Sequence, residues 1–121
     1  MKILVIDDDM ATLTTVKANI ELFNYECKTT TNDKQAIEMI DDYDVLITDY
    51  QLGNINGRQI VKTFKAKKPN LEIIMISGYS IDNILKRDDE FNKLLFSFHT
   101  KPISYPNLAR DLERIEEKLG L

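Results

Sequence analysis

The sequence predicts an α/β fold: a doubly wound, five-stranded parallel sheet with helices on both faces. Three observations carry this expectation. First, four short apolar runs, 3–6, 45–48, 73–76 and 94–98, end in or lead to charged or hydroxyl-bearing residues, as strands buried on both faces do where their carboxyl ends reach the surface. Second, the apolar period between these runs changes from two to about 3.6, so strands alternate with amphipathic helices. Third, 121 residues with 43% hydrophobic and 30% charged side chains suit one ordinary globular domain over 1–121.

Taken in order, Lys2 to Ile6 is short and β-branched and stops at Asp7-Asp8-Asp9. Leu13, Val16, Ile20 and Phe23 then share one helix face, with Asp9 as the helix-start residue. Tyr25 to Thr30 alternates in polarity, which suits a strand near an edge. Asn32 with Gln35 resembles a capping box opening a short helix that carries Ala36, Ile37 and Ile40. The run 45–48 leads into Asp49, and Gly57 precedes a helix bearing Ile60, Val61 and Phe64. The run 73–76 leads into Ser77-Gly78, and residues 81–91 form a more charged helix. The strand 94–98 precedes Lys101-Pro102, and Ser104 caps a last helix, with Pro106 in its first turn and Leu108, Leu112, Ile115 and Leu119 on one face.

Charge and composition exclude several function classes. Sixteen Lys and Arg against 20 Asp and Glu give a net charge of -4, too acidic for an electrostatic nucleic-acid footprint, so no direct nucleic-acid contact is expected. A single cysteine, Cys27, rules out an intramolecular disulfide and a cysteine-built zinc site, and on the polar edge strand it reads as a packing residue or passive thiol. No stretch approaches the ~20 apolar residues that cross a bilayer, so a soluble cytoplasmic protein is expected.

In an open parallel sheet the carboxyl ends of the strands share one edge, and ligands bind in the crevice there. That edge gathers Asp7, Asp8, Asp49, Ser77 and Lys101, none of them neighbours except the first pair. Three clustered carboxylates repel by several kcal/mol in a partly dehydrated site, and one lysine cannot balance them. A hard divalent cation with oxygen ligands and retained waters, Mg²⁺ (or Mn²⁺), is implied. Phosphoryl transfer needs an in-line nucleophile, a metal, a second cation and hydrogen-bond donors, which Asp49, the acidic pair, Lys101 and Ser77 would supply.

At this point the sequence resembles the receiver domains of two-component response regulators. The markers stand in order along nearly the whole chain: Ile-Leu-Val-Ile-Asp-Asp-Asp at 3–9, Leu-Ile-Thr-Asp-Tyr at 46–50, Ile-Ser-Gly-Tyr at 76–79 and Phe-His-Thr-Lys-Pro at 98–102. The resemblance implies a (βα)5, flavodoxin-like fold and a phosphoryl group received from a sensor histidine kinase or a histidine phosphotransfer protein. By position, Asp49 resembles the phosphoacceptor, Asp7 and Asp8 the metal-holding pair, Gln51 the residue whose backbone carbonyl ligates the metal, and Lys101 the family's lysine. Ser77 and Phe98 stand at the hydroxyl and aromatic switch positions, and the Lys101-Pro102 bond is cis in relatives. Where the family often has Met-Pro, this chain has Leu52-Gly53, which loosens the loop. Gln51 and Tyr79 lie where relatives control the attacking water.

The expectation is a signalling switch that catalyses its own phosphoryl transfer and autodephosphorylation. Its downstream protein target would meet the surface of the fourth helix, fifth strand and fifth helix, and a homodimer forming on phosphorylation is a further expectation, with no face assigned to it. Two alternatives are a phosphorylation-independent interaction module and a Mg²⁺-dependent aspartyl-phosphate phosphohydrolase. The second would want a catalytic acid where Gln51 stands. His99, a lone histidine beside a strand end, reads as structural.

Overall fold

In a computed structural model describing all residues, Met1–Leu121, the chain runs β1 (Lys2–Ile6), α1 (Met10–Leu22), β2 (Glu26–Thr30), α2 (Asp33–Met39), a 3₁₀ turn (Ile40–Asp42) and β3 (Val45–Asp49). It continues through β4 (Gln51–Leu52), β5 (Ile55–Asn56), α3 (Gly57–Lys67), β6 (Glu72–Ser77), α4 (Asp82–Arg87), α5 (Asp89–Leu94), β7 (Ser97–Thr100) and α6 (Tyr105–Leu119). The main sheet has the order β2-β1-β3-β6-β7 with every pairing parallel, so each connection must cross over one face. The polar, alternating β2 lies at an edge, as its pattern predicts.

Strand periodicity sorts the core into two layers. Ile3, Val5, Val45, Ile47, Ile74 and Ile76 face α1 and α6, where Leu13, Val16, Ile20, Leu108, Leu112 and Ile115 close over them. Leu4, Ile6, Leu46, Ile73 and Met75 point the other way, against Ala36 of α2, Ile60, Val61 and Phe64 of α3, Leu85 of α4 and Phe91 of α5. Burying an aliphatic or aromatic side chain of this size contributes about 1.5–3 kcal/mol, and the doubly covered strands explain why these runs are apolar at every position.

Three local readings are corrected. The apolar run 94–98 is not one strand: Leu94 ends α5, and β7 occupies 97–100. Phe96 N–H already donates to Ile73 O at 2.8 Å, so the run straddles a helix end and the entry to the sheet. The charged helix over 81–91 is two six-residue helices, because Asp88 leaves the helical conformation and its side chain accepts from Phe91 N–H at 3.1 Å, capping α5. Asn32 does accept from the backbone of Lys34 and Gln35, but the Gln35 side chain takes the Thr30 hydroxyl at 2.8 Å and closes no box. The reciprocal capping box lies at Asn56 and Gln59, opening α3. The small antiparallel hairpin β4–β5 was also unforeseen; Gly53, at φ +56°, makes the left-handed turn within it.

Ser104 caps α6 through Asn107 N–H at 3.4 Å, with proline in the first turn, as expected. Cys27 is half-buried, and burial pushes its thiol up to about 12, which keeps it an inert thiol. No helix is long and apolar enough to cross a membrane.

Candidate functional site

The chain leaves β1 for β2 on one side and returns to β3 on the other, so a crevice opens at the carboxyl ends of β1 and β3. Asp7 follows β1 and Asp49 closes β3, and Lys101, just beyond β7, reaches back between them. Its ammonium donates to Asp7 Oδ2 at 3.1 Å and to Asp49 Oδ2 at 3.3 Å. Asp7 is only 1% exposed, and its other oxygen accepts from Asp9 N–H at 2.9 Å. Asp9 in turn caps α1, accepting from Ala11 N–H at 3.1 Å and from the Thr12 hydroxyl at 2.7 Å. The acidic triplet thus divides into one buried carboxylate, one exposed carboxylate and one helix cap.

Asp49 stays accessible, with its side chain 17% exposed, and Oδ1 accepts from Gln51 N–H at 3.4 Å. Burial raises the pKa of its carboxyl, the negative charge of Asp7 raises it further, and Lys101 and the Gln51 amide only partly offset them. For Lys101, burial opposes the charged form, yet the hydrogen bond to Asp7 and the charges of Asp49 and Asp7 hold its pKa above the ordinary value. The crevice therefore carries more negative charge than its one ammonium balances.

Asp8 does not join the Lys101 pair. Its Oδ2 accepts from Gly53 N–H at 3.2 Å, tying the β4–β5 hairpin to the end of β1. No three His, Cys, Asp or Glu side chains are drawn together at metal-ligand spacing, because Lys101 and Gly53 take the carboxylates separately. The donor chemistry nonetheless fits a hard cation: the groups are all oxygen, one carboxylate is fully buried, and the local charge is in deficit of positive. The Gln51 backbone is adjacent to Asp49, and its side-chain amide donates to Gly53 O at 2.7 Å.

Ser77 ends β6 beside β3 and is 1% exposed; its Oγ accepts from Tyr79 N–H at 3.2 Å. Lys101 N–H donates to Ser77 O at 2.7 Å, joining the two strand ends. Phe98 pairs in register with Met75, so it faces the α2–α5 layer, where it packs half-buried against the core. The Lys101-Pro102 peptide is cis. An open groove of ≈ 370 Å³ runs from Lys101 along Asp9, Thr12, Thr15 and Tyr105 between α1 and the start of α6.

Two groupings escaped sequence reasoning. His99 Nε2 and Ser97 Oγ, which share the α6-facing side of β7, both meet Asp111 Oδ2, at 2.7 and 2.6 Å. One shared acceptor oxygen is not the relay of a nucleophile through a base, so this trio ties β7 to α6 and has no hydrolytic geometry. The Tyr50 ring, next to the Asp49 backbone, meets Tyr79 edge-on with centroids 6.0 Å apart, and meets Phe91 at 6.3 Å. The i, i+2 spacing of Ser97 and His99 was a usable signal for the first grouping; none marked the second.

Comparison with known proteins places these features in a family. The sequence model described as the response regulator receiver domain matches residues 3–113. The transcriptional regulatory protein ZraR of Escherichia coli (strain K12) is 24% identical over 114 residues, covering 93% of this chain and 25% of that protein. The cell cycle transcriptional regulator CtrA of Caulobacter vibrioides is 30% identical over 89 residues, 71% of this chain and 38% of that protein. The chain thus spans well under half the length of these two curated relatives. Among solved structures, a response regulator receiver domain protein from Clostridium thermocellum has a TM-score of 0.85 at 23% identity, covering 99% of this chain and 98% of that one. The BeF3-activated DrrB receiver domain has a TM-score of 0.82 at 23% identity, covering 96% and 97%. These two likenesses show the fold.

Proposed function

The chain belongs to the response regulator receiver domains, and from that premise we propose that it is a phosphoacceptor switch with Asp49 as the acceptor. The observation that supports this most is the approach of Asp7 and Asp49 to one ammonium, Lys101, at the β1/β3 crevice, with Ser77 on the adjoining strand end. An Asp49 oxygen forms a bond to phosphorus as the N–P bond of a phosphohistidine breaks. The departing imidazole nitrogen keeps the bonding pair and takes a proton. Lys101 holds a positive charge beside the incoming group, and buried Asp7 keeps that ammonium oriented.

Asp7, Asp8, Asp49 and the Gln51 backbone carbonyl would hold Mg²⁺ or Mn²⁺, which when bound neutralises charge on the phosphoryl oxygens. Ser77 would leave Tyr79 N–H and donate its hydroxyl to a phosphoryl oxygen, with Phe98 filling the space behind it. Water later attacks phosphorus, the O–P bond breaks, and inorganic phosphate leaves. The output is a population shift, since only the phosphorylated state makes these contacts.

On this reading residues 1–121 form a single cytoplasmic receiver domain. A sensor histidine kinase or histidine phosphotransfer protein supplies the phosphoryl group. A downstream protein, or a second copy of the chain, meets the surface of α4, α5, β7 and α6. Gln51, hydrogen-bonded to Gly53 O and not a carboxylate, weighs against turnover of a separate phosphate ester.

Incubation with acetyl phosphate and Mg²⁺ followed by intact-mass measurement tests the proposal. The expected result is one added phosphoryl group, absent from Asp49→Ala and from the magnesium-free sample. No adduct at short times and low temperature would overturn it in favour of a phosphorylation-independent interaction module.

A further inference from the structure

The Ser77 hydroxyl accepts from Tyr79 N–H at 3.2 Å, so any movement of Ser77 toward the acceptor frees the backbone of the turn that carries Tyr79. The Tyr79 ring stands edge-on to Tyr50, at 6.0 Å and 83° between planes. Tyr50 also lies against Phe91 of α5, at 6.3 Å and 46°, and its own N–H is anchored to Ile76 O at 2.8 Å. Burial, with smaller contributions from Tyr79 and Asp88, raises the pKa of the Tyr50 phenol.

That break is itself tied down. Asp88 caps α5 with one oxygen and accepts from Arg58 Nε of α3 with the other, at 2.5 Å. The seat of Tyr50 is specific to its neighbour Gly57: a Cβ there would lie 2.6 Å from Tyr50 Cδ2 and 2.7 Å from Met75 Sδ. Tyr50 is therefore held from below by Gly57 and touches both the Ser77–Tyr79 turn and the first turn of α5.

We propose that Tyr50 is a positioning residue that carries the state of the Ser77–Tyr79 turn to α4 and α5, by a route through Tyr79, Tyr50 and Phe91 separate from Phe98. The inference rests on the phosphoacceptor reading of Asp49. Contiguity alone does not establish coupling, so the test must measure a response and not a contact.

Amide hydrogen exchange over residues 82–94 is measured with and without beryllofluoride plus Mg²⁺ in the parent protein, Tyr50→Phe and Tyr50→Leu. The parent and Tyr50→Phe, which keeps the ring, should show the same beryllofluoride-dependent change. Tyr50→Leu should lose it by about fivefold or more, the lower end of coupling between two sites. A structural role alone would alter exchange in both states and leave the difference between them intact. A parent-like difference in Tyr50→Leu overturns the inference, as does a parent that shows no change over 82–94.

Should Tyr50→Leu fail to fold, Tyr79→Leu decides by the same criterion, because the residue is 53% exposed and loss of its ring spares the core. The acetyl phosphate adduct separates the two levels of the argument. An adduct on Asp49 with an unchanged response in the variants sinks only the Tyr50 route, whereas no adduct in the parent removes the acceptor reading and the inference together.

Discussion

Asp49 is held where its charge is unwelcome. Burial and Asp7 raise its pKa in the fold, so the carboxyl contributes most to stability below its unfolded pKa of about 4, and that contribution is lost as pH rises through the folded value. In metal-free buffer at pH 7, Asp49→Asn should therefore unfold at a temperature a few degrees higher than the parent, the shift that roughly 1 kcal/mol produces in a domain this small. The difference should vanish as pH falls well below about 4, where the carboxyl is protonated in both the folded and the unfolded chain; a gain that persists there would refute the electrostatic account. Millimolar Mg²⁺ should raise the parent's melting temperature by mass action, and Asp7→Asn should abolish most of that rise. Thermal unfolding with and without a chelator checks both.

Among the elements, α3 shows how a sequence signal and its use can part company. Asn32-x-x-Gln35 and Asn56-x-x-Gln59 have the same spacing, yet only the second closes a reciprocal box. Thr30, at the end of β2, competes for Gln35, and no such hydroxyl stands before α3. Asn56→Ala should cost about 1 kcal/mol in urea unfolding. Gly57→Ala, one position on, gains helix propensity but drives a methyl into Tyr50 and Met75, and overpacking of this kind costs about 1–3 kcal/mol. The net effect should be destabilising; a Gly57→Ala protein as stable as the parent would mean that Tyr50 moves freely. The break at Asp88 has a similar origin: a helix that could run on is interrupted because Arg58 and Phe91 N–H together claim one carboxylate.

Across the whole molecule, the sheet separates two hydrophobic layers that share no side chain. Ile60→Val on the α3 side and Ile115→Val on the α6 side should each cost about 1 kcal/mol, and the double variant should equal their sum to within about 0.5 kcal/mol. Denaturant unfolding of the three variants measures this, and a larger coupling would mean that strain passes through the sheet. Polar ties join α6 to the sheet it covers. Asp111 of α6 binds Ser97 and His99 of β7, and Lys118 near the end of α6 reaches Glu72 at the start of β6 at 2.6 Å. These ties hold α6 at its middle and near its C-terminal end, while the acidic crevice opens at the carboxyl ends of the strands.

The α/β alternation, four of the five strand positions to within about two residues and the residues at the strand ends were all determined by the sequence. These depend on local periodicity and on where an apolar run stops, and both can be read a few residues at a time. The run 94–98 misled because hydrophobicity marks burial, and a helix end and a strand start are buried alike. Only the tertiary structure decided which strand-end groups touch: Lys101 with Asp7 and Asp49 across separations of 94 and 52 residues, and Asp8 with Gly53 across 45. It also decided the partners of Tyr50, Arg58 and His99. A side chain's partner depends on how elements pack and on competing donors and acceptors, and no local pattern in the chain encodes that competition.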